Sequence, residues 1–280
     1  MNSGPVVGTT RGTGGARLRT LSWPVSRPRG RVQVIHGLSE HIGRYDLLAE
    51  ALNAEGWSVF GHDQRGHGAS DGRRGVVGEF PDLIQDVAVV GGLADELAPG
   101  PGPPVLVGHS LGGLVGIRYL QELRPSLGAA VISAPWLATA GGFSWRDRIV
   151  LAVLRRVAPD WPVSRAPRAD LLTRDEERAR AFVEDPLVST SLAVSFLDQV
   201  TEAQRMAVSQ GLPSDLGVLV LLPGDDELTD IDVAREWARR SGARCLELPG
   251  TRHEPFNDID RNTTFERLVE WLNIQMAKGL

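Results

Sequence analysis

Ser110 sits in PVLVGHSLGGLVG (Pro104 to Gly116), between an apolar run and a run of small and apolar residues at helical spacing. A glycine stands two positions away on each side. This G-x-S-x-G spacing suits a nucleophile lifted on a tight strand-to-helix turn, where larger neighbours would collide with the backbone. The same spacing recurs in GASDG, Gly68 to Gly72. There the flanks, HDQRGHG and DGRRG, are turn formers and not a strand and a helix. The predicted nucleophile is therefore Ser110, and Ser70 is predicted to sit in a turn.

A serine hydroxyl keeps its proton near neutral pH, so it needs a base, and the base needs a group to orient it. In proteins with this elbow the chain order is Ser, then Asp or Glu, then His. Of the six histidines, His36, His41, His62, His67 and His109 precede Ser110, and His253 alone follows it. His253 lies in PGTRHEPFND, after a strand-like run and before a long helical one. The acid is expected after the preceding strand, GVLVLLPG. Asp225, Asp226, Glu227 and Asp230 all qualify on spacing.

The elements that must position these groups alternate along the chain. Ala16 to Val25, Arg31 to Gly37, Trp57 to Asp63, Pro104 to His109, Ala129 to Pro135, Gly217 to Gly224 and Arg244 to Gly250 read as strands. Tyr45 to Trp57, Phe80 to Ala98, Leu111 to Pro125 and the last stretch, from Thr264, read as helices. Runs such as VLV and VLVLL predict strands buried on both faces, hence a mostly parallel sheet flanked by helices. The alternation breaks between Trp136 and Leu216, which predicts a helical insertion before the acid-bearing strand. Its Phe143 to Trp161 stretch is amphipathic and is expected to form the insertion's inner wall. The expected organisation is a flexible leader at 1–15, a core at 16–135 and 216–280, and a cap at 136–215.

Composition limits the function. The chain has 280 residues, 42% hydrophobic and 23% charged, with a net charge of −5. That is ordinary globular usage. No basic stripe points to nucleic acid. The one cysteine, Cys245, rules out an internal disulfide and a multi-cysteine zinc site, and it reads as a small buried hydrophobe. It fits a reducing cytoplasm, the expected location. No run of about 18 apolar residues predicts a membrane-spanning helix. His36 and His41 have no accompanying carboxylate pattern of metal ligands.

Four blocks carry a family resemblance: HGLSEHIGRYDLLAEAL (His36 to Leu52), GHDQRGHGASDGRRG (Gly61 to Gly75), GHSLGG (Gly108 to Gly113) and RHEPFND (Arg252 to Asp258). With DPLVSTS (Asp185 to Ser191), they make the chain from about Ala16 onward similar to α/β-hydrolases of the monoacylglycerol lipase and lysophospholipase branch. The resemblance implies the α/β-hydrolase fold and a catalytic Ser110, Asp226 and His253. Laid on LLPGDDELTD, the family's aspartate falls on Asp226. The glycine that precedes it in the family is Pro223 here, with Gly224 displaced by one. The resemblance also implies an oxyanion hole from the backbone N–H groups of Leu38 and Leu111, with no cofactor or metal. It implies that His36 shapes a loop and that Asp63, Arg65, His67 and Ser70 form a structural polar loop.

The expected reaction is hydrolysis of carboxylic esters through an acyl-enzyme, on monoacylglycerols, lysophospholipids or related medium-chain esters. A cap flanked by Arg148, Arg155 and Arg156 is compatible with transient membrane contact. Two rival functions fit the same scaffold. An aminopeptidase or amidase on the same scaffold would need a recessed acidic subsite, for which Glu40, Asp71, Glu176, Glu177 and Glu184 are candidates. A non-catalytic ligand-binding protein is disfavoured by the complete triad.

Overall fold

Eight strands form one sheet, and those at its centre send their apolar residues alternately to two buried faces. In the computed structural model, which describes residues 4–75, 78–142, 150–151, 153–154, 156–158, 161–164, 168–189, 191–213 and 215–278, the chain begins with β1 (Val6–Arg11), β2 (Arg17–Trp23), β3 (Gly30–Ile35) and helix α1 (Asp46–Ala54). Next come β4 (Trp57–His62), α2 (Phe80–Gly92), α3 (Ala94–Leu97), β5 (Val105–His109), α4 (Leu111–Leu123) and β6 (Ala129–Ser133). An inserted segment follows, with β7 (Pro162–Ser164), α5 (Ala169–Leu172), α6 (Glu176–Glu184), β8 (Ser191–Ala193) and α7 (Val194–Ser209). The chain closes with β9 (Gly217–Pro223), α8 (Ile231–Arg240), β10 (Arg244–Leu248) and α9 (Arg261–Ala277).

The strand order is β1-β2-β4-β3-β5-β6-β9-β10. The β1–β2 and β2–β4 pairs are antiparallel, and all others in the sheet are parallel. In β5, Leu106 enters one core layer while Val105 and Val107 enter the other. In β9, Val218, Val220 and Leu222 share the first layer, and Leu219 and Leu221 the second. The first layer is filled from α2, α4, α7 and α8, the second from α1 and α9. This two-faced burial is why the strands read as continuous apolar runs. Cys245 is half-buried against the first layer.

Three expectations differ from the structure. Within the expected flexible leader, the described residues 4–15 are instead part of the sheet's edge hairpin. Val6–Arg11 pairs with β2 from Val6↔Ser22 to Arg11↔Arg17. The glycines after it form the hairpin turn, with Gly14 and Gly15 at φ 63° and 79°, a conformation that glycine adopts without steric cost. Asp86 Oδ1 accepts from Thr13 N at 2.8 Å and fixes that turn to the core. Second, the inserted segment contains strands: β7 and β8 pair antiparallel. Each has three residues, too few to show a period. Third, Phe80 to Ala98 is two helices, α2 and α3, broken at Leu93. The break falls directly after Gly91-Gly92, the weakest helix formers of the stretch.

The expected helix at Phe143 to Trp161 lies largely outside the described residues, as do Arg148 and Arg155. Within it, residues 150–151, 153–154 and 156–157 are helical, and Arg156 is exposed.

Candidate active site

Strand β5 delivers its last residue, His109, directly to Ser110, which caps α4. Ser110 has φ 53° and ψ −114°, a backbone conformation unfavourable for a residue with a side chain. The turn is imposed from both sides. Ser110 N donates to Ser133 O at 2.9 Å, and its carbonyl accepts from Trp136 N at 3.0 Å. The flanking glycines are sterically required. A Cβ on Gly108 would lie 2.5 Å from Gly112 O. One on Gly112 would overlap the carbonyl oxygens of Ile35 and His36.

Ser70 is held differently. Its hydroxyl donates to Asp63 O at 2.5 Å and accepts from Arg19 N at 2.9 Å. Asp63 is buried and accepts from Ile42 N and Ala69 N. The polar loop thus forms around Asp63, with one departure from expectation. The Arg65 guanidinium turns to Asp82 and Asp86, and only its carbonyl meets His67.

His253 is 4% exposed, and its Nδ1–H donates to Asp226 Oδ2 at 2.7 Å. Asp226 is fixed in turn by its own loop. Its Oδ1 accepts from the N–H groups of Leu228 and Thr229, and its Oδ2 from Thr229 Oγ1 at 2.7 Å. Asp225, in contrast, is exposed. Burial pushes the Asp226 carboxyl up, but the His253 charge and these hydrogen bonds outweigh it and hold it at about 2. Burial lowers the His253 pKa, and the adjacent Asp226 carboxylate more than offsets this, so the net shift is upward. Nδ1 being engaged, Nε2 is the nitrogen left for proton transfer. Ser110 and His253 line the same cavity, and no hydrogen bond joins them among the described residues.

Two backbone donors flank the serine. Leu111 opens α4, where helix N–H groups have no internal partner. Leu38 follows Gly37, whose Cβ position would lie 3.3 Å from Ser110 Cβ. Neither N–H donates to another group among the described residues. The Leu38 turn is shaped by His36, whose Nδ1–H donates to Gly37 O at 2.7 Å while Nε2 accepts from Gln64 N at 2.8 Å. Both ring nitrogens are thereby satisfied in the neutral state, and burial lowers the pKa of His36 further. His109 packs 4.9 Å from His253 between ring centroids. Burial and the His253 charge push His109 down to about 3, so it stays neutral beside His253.

The structure thus brings Ser110, His253 and Leu38 to one cavity, with Leu111 at the helix start and Asp226 behind the imidazole. The cavity measures about 480 Å³ and is walled by Leu38, Leu151, Leu154, Leu171, Phe182 and Leu197, among others. Sequence reasoning missed Thr229 as the anchor of Asp226. Its signal was present, since an aspartate commonly bonds the N–H groups two and three residues on. It also left Glu40 unplaced and missed Glu254, both buried and both lining the cavity. Among the described residues no group of three or more His, Cys, Asp or Glu side chains forms a metal site.

Residues 26–260 match the serine aminopeptidase S33 family (Hydrolase_4). The chain belongs to that family of α/β-hydrolases. It is 29% identical to a monoacylglycerol lipase of Mycolicibacterium smegmatis over 266 residues, covering 93% of this chain and 94% of that one. It is 35% identical to the monoglyceride lipase of Homo sapiens over 266 residues, covering 91% and 86%. The crystal structure of Paleococcus ferrophilus monoacylglycerol lipase superposes with a TM-score of 0.79 at 29% identity, covering 92% of this chain and 99% of that one.

Proposed function

We propose that Ser110, His253 and Asp226 hydrolyse monoacylglycerols and related lipid esters through an acyl-enzyme. That the chain is a lipid-ester hydrolase of the α/β fold follows from its family and relatives. The observation that carries the finer reading is the Asp226–His253 pair, whose imidazole lines the same largely apolar cavity as a strained Ser110.

His253 Nε2 takes the Ser110 proton as Oγ attacks the ester carbonyl. Asp226 keeps Nδ1 protonated and stabilises the imidazolium. The N–H groups of Leu38 and Leu111 receive the oxyanion, each worth about 10²–10³ in rate. The alcohol leaves with the proton from His253, and water then attacks the acyl-enzyme by the same steps in reverse. The apolar walls suit an acyl chain.

The matching organisation is a hydrolase core at 16–135 and 216–280, joined by the β1 hairpin that precedes it, with a cap at 136–215. It is supported by the position of the inserted segment, whose Leu171, Phe182 and Leu197 line the cavity. No helix among the described residues is long and apolar enough to cross a membrane. The single free cysteine supports a cytoplasmic location. The exposed Val153, Val157 and Trp161 on the inserted segment support transient membrane contact.

The family's name keeps aminopeptidase activity as a second reading. Glu40 and Glu254 face the cavity, as an acidic subsite for an amino group requires, but both are bonded to Arg44. The ester reading therefore stands first. The test is a chain-length series of monoacylglycerols and p-nitrophenyl esters beside aminoacyl-anilides. Wild type is expected to cleave the esters and leave the anilides. Ser110→Ala is expected to keep its fold and lose turnover by about 10⁶. Near-normal hydrolysis by that variant would remove Ser110 from the mechanism.

A further inference from the structure

One guanidinium joins the two loops that the reaction requires. Arg44 Nη1 donates to Glu40 Oε2 at 3.0 Å and to Glu254 Oε1 at 2.8 Å, and Nη2 donates to Glu254 Oε2 at 2.7 Å. Glu40 and Arg44 come from the segment between β3 and α1, and Glu254 directly follows His253. Glu40 Oε1 accepts from Gly37 N at 2.5 Å and from Tyr45 Oη at 2.8 Å. Glu254 Oε2 also accepts from Asn257 Nδ2 at 3.0 Å. Phe182 of the inserted segment covers the guanidinium, its ring centroid 4.6 Å from Arg44 Cζ. Glu40, Arg44, Tyr45, Glu254 and Asn257 are each no more than 8% exposed.

The geometry points to Arg44 as a positioning residue that fixes the oxyanion turn relative to the histidine loop. It grips the turn through Glu40, whose other oxygen holds Gly37, the residue before Leu38. It grips the histidine loop through a two-point fork on Glu254, which constrains direction as well as distance. None of these side chains takes or gives a proton in the reaction. Burying two carboxylates against one arginine is costly for stability, and breaking such a pair leaves an uncompensated buried charge. Burial raises the Glu254 pKa, but the Arg44 charge and hydrogen bonds outweigh it and hold the carboxyl at about 2. The fork therefore stays ionised across the working range of the histidine. A small error in this spacing reaches both the oxyanion donor and the base.

The inference rests on the Ser110 mechanism above, and its test separates the two. Arg44→Lys keeps the charge but cannot span both carboxylates as a planar fork. Glu254→Gln keeps the shape and an acceptor but removes the charge. Both are measured for kcat and KM on p-nitrophenyl esters, per active site counted with a fluorophosphonate, together with Tm. Positioning predicts a fall in kcat of about 10- to 100-fold, with KM within about threefold and the loss per counted site. Wild-type kcat per site in Arg44→Lys, with any deficit confined to Tm, overturns it. If Arg44→Lys does not fold, Glu254→Gln decides on the same readout. A Ser110→Ala variant that still hydrolyses esters overturns the mechanism instead.

Discussion

His253 Nδ1 and Asp226 Oδ2 lie 2.7 Å apart, although 27 residues and the whole α8–β10 unit separate them in sequence. The loops after β9 and β10 end side by side because those strands are parallel neighbours, paired from Arg244↔Leu219 to Leu248↔Pro223. Adjacent parallel strands place their C-terminal loops at one sheet edge, and the β5 elbow opens onto that same edge.

This pairing distinguishes Asp226 from its neighbour. Asp226→Asn is expected to lower kcat by about 10⁴, since the amide cannot hold the imidazole in the required tautomer. Asp225→Asn changes an exposed side chain and is expected to leave kcat within about twofold of wild type. Steady-state kinetics on one ester compare the two. The reverse ranking would move the acid to Asp225.

The pH dependence follows from the same pair. In the proposed mechanism His253 must be neutral to accept the serine proton, and its pKa is raised from 6.5 by Asp226 against the opposing effect of burial. The rate constant kcat/KM is therefore expected to rise with pH through an inflection above 6.5. In Asp226→Asn the raising group is gone, and the inflection is expected to move to lower pH. The stability linkage runs with opposite signs for the two groups. The contribution of the raised His253 is present below 6.5 and is lost as pH rises through its folded value. The contribution of Asp226 is present above 3.8 and is lost as pH falls toward 2. A kcat/KM profile with a midpoint below 6.5 in wild type would contradict the pairing.

Ser70 supplies a control with the same local motif. Ser70→Ala removes a donor to Asp63 O and an acceptor for Arg19 N. It is expected to lower stability by about 1–3 kcal/mol while kcat stays within about twofold of wild type. Denaturant unfolding and ester assays check both arms. A large loss of kcat with unchanged stability would give Ser70 a chemical role.

Much of the site was legible because its constraints are local. The elbow glycines answer to contacts within five residues, Gly108 against Gly112, and to the neighbouring strand β3. His253 followed from chain order, and the sheet from apolar runs that fill two core layers. The edge hairpin was not legible, because VVGTTR has two valines and a glycine-rich turn, and its order comes from Asp86 and from β2. The Arg44 fork was not legible either. Glu40 and Arg44 stand four apart, a spacing common on solvated helix faces. Nothing local marks Glu254, 210 residues away, as the third partner. Burial decides that arrangement, and burial of polar groups arises only when distant segments meet.

The central claim is a covalent acyl-enzyme on Ser110, and an alkyl fluorophosphonate tests it most directly. After reaction with wild type, intact mass and peptide mapping are measured alongside residual ester hydrolysis. One adduct per chain is expected, on Ser110, with activity falling in proportion to its formation and no adduct in Ser110→Ala. Full esterase activity in a protein that takes up no reagent at Ser110 would contradict it.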